Sequence, residues 1–202
     1  MKRLLLITTI FALICAVLTP TSLLAAKKKI PKAYKKMQNK EQKMMNKGAF
    51  VTIGIAVSDD GRLDMGRTKA QQDAFQKMTQ AKKNYVETTV HDFREEIGVG
   101  KGNEINDVFR SLTDGVSANL LKGARIVDFQ MYQDKNNKKD GTMTYLVLLA
   151  ITPKQTYQTL MGELEKEKGS ENSLYQRYVD SEAQKIHDEK IKKYQEEFGS
   201  DK

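Results

Sequence analysis

The sequence predicts an α+β domain: a small three-stranded antiparallel sheet in β-α-α-β-β order, two helices on one face, and a C-terminal helical extension. Residues 48–58 have the composition of a strand. Residues 125–133 alternate between apolar and polar side chains, and after a polar turn residues 143–151 are a largely apolar run, which together indicate a hairpin. The long stretch between them repeats with a helical period. We therefore expect one α+β domain over residues 48–152, followed by helices over residues 153–202.

The first strand has one strongly apolar face and one face of small residues. Its apolar face consists of Val51, Ile53, Ile55 and Val57. The following helix should pack on this strand, because small and flexible side chains recur at spacings of four, four, three and four, namely Ala70, Ala74, Met78, Ala81 and Tyr85. We expect this helix to continue to about Glu96.

A second helix is predicted over residues 104–121, and a hairpin follows it. The buried side of this helix should consist of Ile105, Val108, Phe109, Leu112, Val116 and Leu120. The hairpin strands are residues 125–133 and 143–151, and the second is apolar enough to be the central strand of the sheet.

Beyond Pro153 the pattern is helical again, and the last helix, about residues 173–198, carries aromatic residues on a mostly charged surface. Two interpretations stay open: the helix folds back onto the sheet, or it presents these aromatic side chains to a partner. The predicted partner contacts are Tyr178, Tyr194 and Phe198.

The N-terminus has the layout of a cleaved signal peptide. Residues 1–3 include the cations Lys2 and Arg3, and residues 4–17 are apolar. Ala25 and Ala26 offer a cleavage site, so residues 1–26 are expected to be removed. Cys15 lies in the apolar run after a bulky Ile, which does not fit a lipid-attachment signal. These features predict export, to the periplasm or to an outer-membrane-associated location.

The formal net charge of +8 is concentrated near the N-terminus. Residues 27–47 hold nine lysines and one glutamate, whereas the chain from residue 48 onward is slightly acidic. This distribution argues against a nucleic-acid partner, which would favour a basic face on the folded domain. We interpret residues 27–47 as a basic arm that is either a solvated leader or contacts anionic lipid or another acidic envelope surface, through Lys27, Lys28, Lys29, Lys32, Lys35 and Lys36. Met37, Met44 and Met45 would form a weak apolar face if the arm became helical on a partner.

No catalytic motif stands out. The two histidines, His91 and His187, are far apart in sequence, and we expect both on the surface. The paired carboxylates of residues 94–96 and 163–168 are expected to lie on solvated helix faces. We therefore predict a chain that is not an enzyme and that has no cofactor and no metal site.

Two segments, GIAVSDDGRLDMGRTKAQQDAFQKM and LLKGARIVDFQMYQDKNNKKDGTMTYLVLLAI, resemble the LPP-twenty type of bacterial envelope lipoprotein domain and the N-terminal part of some flagellar assembly proteins. The resemblance covers residues 48–152 and includes a G-x-x-I-x-D turn, matched by Gly123, Ile126 and Asp128. It implies association with the outer membrane or periplasm and a role in assembly, and it transfers no catalytic residue.

The leading hypothesis is a non-enzymatic envelope interaction or assembly protein that contacts an envelope protein or an anionic envelope surface; self-association into a homo-oligomer stays open. The alternative is a periplasmic binding module that holds a small apolar or lipid ligand in a closed cavity between the sheet and the C-terminal helices.

Overall fold

A three-stranded antiparallel sheet organises the chain, as the sequence predicts. The computed structural model describes residues 31–58, 62–99, 103–133, 142–167 and 174–199. The strands are β1 (Phe50–Ser58), β2 (Arg125–Gln133) and β3 (Met143–Ile151), in the spatial order β1-β3-β2. The prediction that the last strand is central is confirmed, and its residues from Tyr145 to Ile151 are all buried. The predicted signal peptide, with Cys15, and the hairpin turn lie outside the described residues.

Six α-helices surround this sheet within the described ranges. They are α1 (Lys32–Asn46), α2 (Leu63–Glu96), α3 (Asn103–Asn119), α4 (Pro153–Leu164), α5 (Leu174–Asp180) and α6 (Ala183–Phe198). The predicted end of α2 at Glu96 is confirmed. The predicted single final helix is instead two helices, because the Ser181 hydroxyl donates to the Tyr178 carbonyl and accepts from the Ala183 N–H, which ends α5 and starts α6.

Helix α2 packs on one face of the sheet through its first half. Gly66, Ala70, Ala74 and Met78 are buried, whereas Ala81, which the sequence placed in the same stripe, is exposed. A 34-residue helix is about 51 Å long and a nine-residue strand about 30 Å, so α2 runs past the sheet. Beyond Met78 its buried residues are Val86, Val90 and Phe93, which join the core formed with α3, α4 and α5.

Helix α1 covers the opposite face of the sheet. Residues 32–46, which the sequence suggested were part of an arm, are a helix of the domain, because Met37 and Met44 are two turns apart and both pack on the sheet. Their side chains are buried among Val51, Ile53 and Leu148, whereas Met45 is half exposed. Helices therefore pack on both faces of the sheet, and α1 turns mainly its polar side toward solvent.

Candidate functional site

A row of lysines runs along the outward side of α1. Lys32, Lys35, Lys36 and Lys43 are exposed, and Asn39 lies between them. These positions recur every three or four residues, which places them on one side of the helix, opposite Met37 and Met44. We call these four lysines the lysine face of α1.

The lysine face borders a groove of about 580 Å³ between α1 and the C-terminal end of α6. The groove is lined by Lys32, Lys35, Lys36, Asn39, Lys40, Lys43, Glu197 and Phe198. Phe198 is only partly buried, and its ring packs on Tyr194 with the ring centroids 5.0 Å apart. The groove therefore combines five ammonium groups with one carboxylate and one aromatic ring.

The groove has an excess of unpaired positive charge. The Lys40 ammonium lies 3.0 Å from the Asp128 carboxylate, and Glu197 is 3.3 Å from Lys47 at the end of α1. No ion pair joins the four members of the lysine face to another residue of the part of the chain that is described. Because like charges held together are stabilised by an added anion, the groove is suited to bind anions.

The structure describes three of the six lysines that were predicted as surface contacts. Lys32, Lys35 and Lys36 lie together on the groove, and Lys27, Lys28 and Lys29 fall outside the described residues. The sequence prediction of surface contacts did not include Asn39 or Lys43. Their positions could have indicated the same helix face, because Asn39 is four residues after Lys35 and Lys43 is seven residues after Lys36.

Two of the predicted partner contacts need correction. Tyr178 is 9% exposed in the core beside Phe93, and Tyr194 is 4% exposed against the sheet with Met37 and Met44. Both rings are buried by packing within the chain, because α5 and α6 fold back onto the domain. Phe198 is the predicted contact that remains accessible, inside the groove.

A second cavity of about 370 Å³ lies among α2, α4, α6 and the turn between α1 and β1. Its wall includes His187, which the sequence predicted to be on the surface and which is 2% exposed. His187 is buried because residues distant in sequence pack around it. Its ring stacks on Tyr157 at a centroid distance of 3.7 Å, and its Nε2 lies 2.6 Å from a Glu96 carboxylate oxygen. His91, by contrast, is exposed as predicted.

Glu96 is the centre of this second cluster. Its other carboxylate oxygen accepts a hydrogen bond of 2.7 Å from the Lys190 ammonium, so this residue is not the solvated carboxylate that the sequence suggested. Burial lowers the pKa of His187 and outweighs the opposing effect of the Glu96 carboxylate. The ring is then neutral, its Nε2–H donates to Glu96, and the buried Nδ1 has no partner in the described chain. The cluster fastens α6 and α4 to α2.

Side chains from α1 and α2 close the middle of the free edge of β1. The Ile55 N–H donates to Asp73 over 2.8 Å, and the Lys77 ammonium donates to the Ile53 carbonyl over 3.1 Å. Burial would raise the pKa of Asp73, but hydrogen bonds from Lys77 and Ile55 together with the Lys77 charge lower it. Glu41 accepts from the Ile53 backbone, while burial raises its pKa. An added strand would have to displace these side chains, so this part of the edge is protected from pairing.

Within the described ranges, no three His, Cys, Asp or Glu side chains come together as a possible metal site. None of the helices described above is both long enough and apolar enough to cross a membrane. Comparisons with protein-family models, with curated proteins and with solved structures gave no match.

Proposed function

We propose that this chain is an exported, non-enzymatic protein of the cell envelope that attaches to an anionic envelope surface through the lysine face of α1. The observation that carries the proposal is the row of four exposed lysines that form no ion pair with the described residues, held in one line by a helix whose apolar side is fixed to the sheet. The signal-peptide pattern and the resemblance to envelope lipoprotein domains support the same location.

The expected strength of this attachment is modest. Each lysine near an anionic surface adds about 1 kcal/mol, so the four lysines together add about 4 kcal/mol. That corresponds to an affinity change of about a thousandfold and to strong dependence on salt. Lys27, Lys28 and Lys29 would add to it in the intact arm.

Sedimentation with washed envelope fragments at low and high salt tests the proposal. The variant K32Q/K35Q/K36Q/K43Q should lose most of the bound fraction at low salt, because the anion-binding charge is gone. A matched control, K69Q/K82Q/K83Q/K154Q, removes the same charge from other surfaces and should bind like the unmodified protein. Equal binding by the two variants would show that total charge, and not the lysine face, drives attachment.

The alternative function, binding of a small apolar or lipid ligand, requires an enclosed apolar chamber. The cavity beside His187 is bordered by the charged groups of Asp92, Glu96 and Lys190. Burial of an apolar ligand there would remove these groups from water without giving them new partners. The structure therefore favours attachment over apolar ligand binding.

A further inference from the structure

We infer that the groove between α1 and the end of α6 binds an extended acidic segment of a partner polypeptide, with carboxylates on one side and an apolar side chain beside Phe198. This inference rests on the proposed function and names the partner at that site.

A bilayer surface fits the groove poorly. Interfacial helices bind membranes by burying an apolar face between lipids, and the apolar face of α1 is already buried, with Met37 0% and Met44 1% exposed. Phe198 lies in the groove and packs on Tyr194, so it does not project as an anchor. Four lysines without insertion would give a contact of only about millimolar strength.

An extended polypeptide matches the spacing of the groove. Groups that recur every three or four residues on a helix are about 4.5 to 6 Å apart along its axis. Alternate side chains of an extended chain are about 6.6 Å apart, so carboxylates on alternate residues can follow the row, in which Asn39 separates Lys36 from Lys43. Asn39, in the middle of the row, offers an amide donor and an acceptor to a peptide backbone.

Phe198 adds a preference for an apolar residue. Its neighbour Glu197 is held by Lys47, which directly follows α1, so the ring lies toward the C-terminal end of the lysine row. An apolar side chain placed after the acidic residues would cover the exposed part of this ring and remain next to the lysines. A purely acidic polymer would leave the ring uncovered.

The probes are two fluorescent peptides of alternating Glu and Ala, identical except for Phe or Ala at one end, and vesicles of phosphatidylglycerol and phosphatidylcholine. Fluorescence anisotropy with the full exported chain should give one-to-one binding of both peptides, with the Phe peptide bound at least about fivefold more tightly. K36Q/K43Q should weaken both peptides at least about tenfold, and K69Q/K83Q should change neither.

Phe198→Ala should remove the preference for the Phe peptide and leave the Ala peptide unchanged, whereas Phe75→Ala, on an exposed aromatic of α2, should preserve the preference. Because Phe198 is partly buried, Phe198→Leu provides a second variant that keeps an apolar group and should retain part of the preference. Thermal unfolding of each variant confirms that the fold is intact.

Stronger binding to the vesicles, or to an acidic polysaccharide at equal charge concentration, than to either peptide would overturn the inference and leave the proposed function standing. If the unmodified protein does not sediment with envelope fragments at low salt, the proposed function is instead refuted. Equal binding of the two peptides by the unmodified protein would refute the role of Phe198.

Discussion

The two faces of the sheet are covered by helices that use opposite kinds of side chain. Helix α2 approaches its face through small residues, and the Thr52 hydroxyl even donates to the Ala74 carbonyl over 2.9 Å. A Cβ atom added at Gly54 would overlap the Ala70 carbonyl oxygen. Here the backbones of helix and strand are in contact, so steric fit and the hydrogen bonds between α2 and β1 together fix the distance.

The other face is covered by large, flexible side chains, Met37 and Met44, and by Tyr194 from α6. It is also covered incompletely, because Ile55 is 38% and Val57 58% exposed. Methionine adapts to an irregular gap, so this contact places few demands on the rest of α1. Helix α2 is therefore specified by packing along its first half, whereas α1 has only two fully buried side chains, Met37 and Met44, and leaves its outward side available for the lysine face.

The largest expected effect is on the closely packed face. Gly54→Ala should lower the free energy of unfolding by about 3 kcal/mol, because the new methyl group meets backbone atoms of α2 that have no alternative position. Thermal or urea unfolding of the purified protein measures it.

Gly162→Ala is the matched control for Gly54→Ala, since a Cβ at Gly162 meets no atom within 4 Å and the position is in a helix. It should raise the free energy of unfolding by up to about 1 kcal/mol. A tolerated Gly54→Ala would show that α2 is free to move away from the strand.

The same contrast explains what the sequence could predict. A run of Gly and Ala at helical spacing is informative, because such residues at Gly66, Ala70 and Ala74 have little other reason to recur on one side of a charged helix. The strands were equally predictable, since the alternation of β1 and β2 and the continuous apolar run of β3 are local patterns. Helix α1 was harder, because three methionines among five lysines resemble a solvated arm until the sheet that two of them cover is known.

Residues of the second cluster depend on distant partners. Nothing near His187 indicates burial, and its Glu96 partner is 91 residues away, so only the fold brings them together. Likewise, Phe198 looked equivalent to Tyr178 and Tyr194 in sequence. Which of the three stays accessible is decided by how α5 and α6 fold back, and this is not a local property.

A smaller effect is expected on the methionine-covered face. Met44→Ala should cost about 2 kcal/mol of unfolding free energy, at the low end for such truncations, because α1 lies on the surface and can settle toward the sheet. Met45→Ala, one residue on and half exposed, should change the free energy by less than about 0.5 kcal/mol. Chemical denaturation compares the two directly. If Met44→Ala costs more than Gly54→Ala, the second face is not the more adaptable one.

The smallest effect is a pH dependence that tests how α6 joins the two faces. The helix has His187 near one end, against α2 and α4, and Tyr194 near the other, against α1 and the sheet. Burial lowers the pKa of His187 in the folded chain below its ordinary value near 6.5. Between the folded pKa and about pH 6.5, the unfolded chain binds a proton at residue 187 that the folded chain does not bind. The stability that His187 contributes above about pH 6.5 is therefore lost as the pH falls through the folded pKa.

The slope contributed by one such proton is at most about 1.4 kcal/mol per pH unit. Unfolding free energies measured between pH 7 and pH 5 should fall less steeply in His187→Gln than in the unmodified protein. His91→Gln provides the control, because it removes an exposed histidine that lies outside the cluster. Hydrogen exchange at the lower pH should increase first at the His187 end of α6, while the Tyr194 end keeps its protection, since no titrating histidine faces it in the described chain. A uniform increase along α6 would mean that the two ends open as one unit, and that the two faces of the sheet are coupled through this helix.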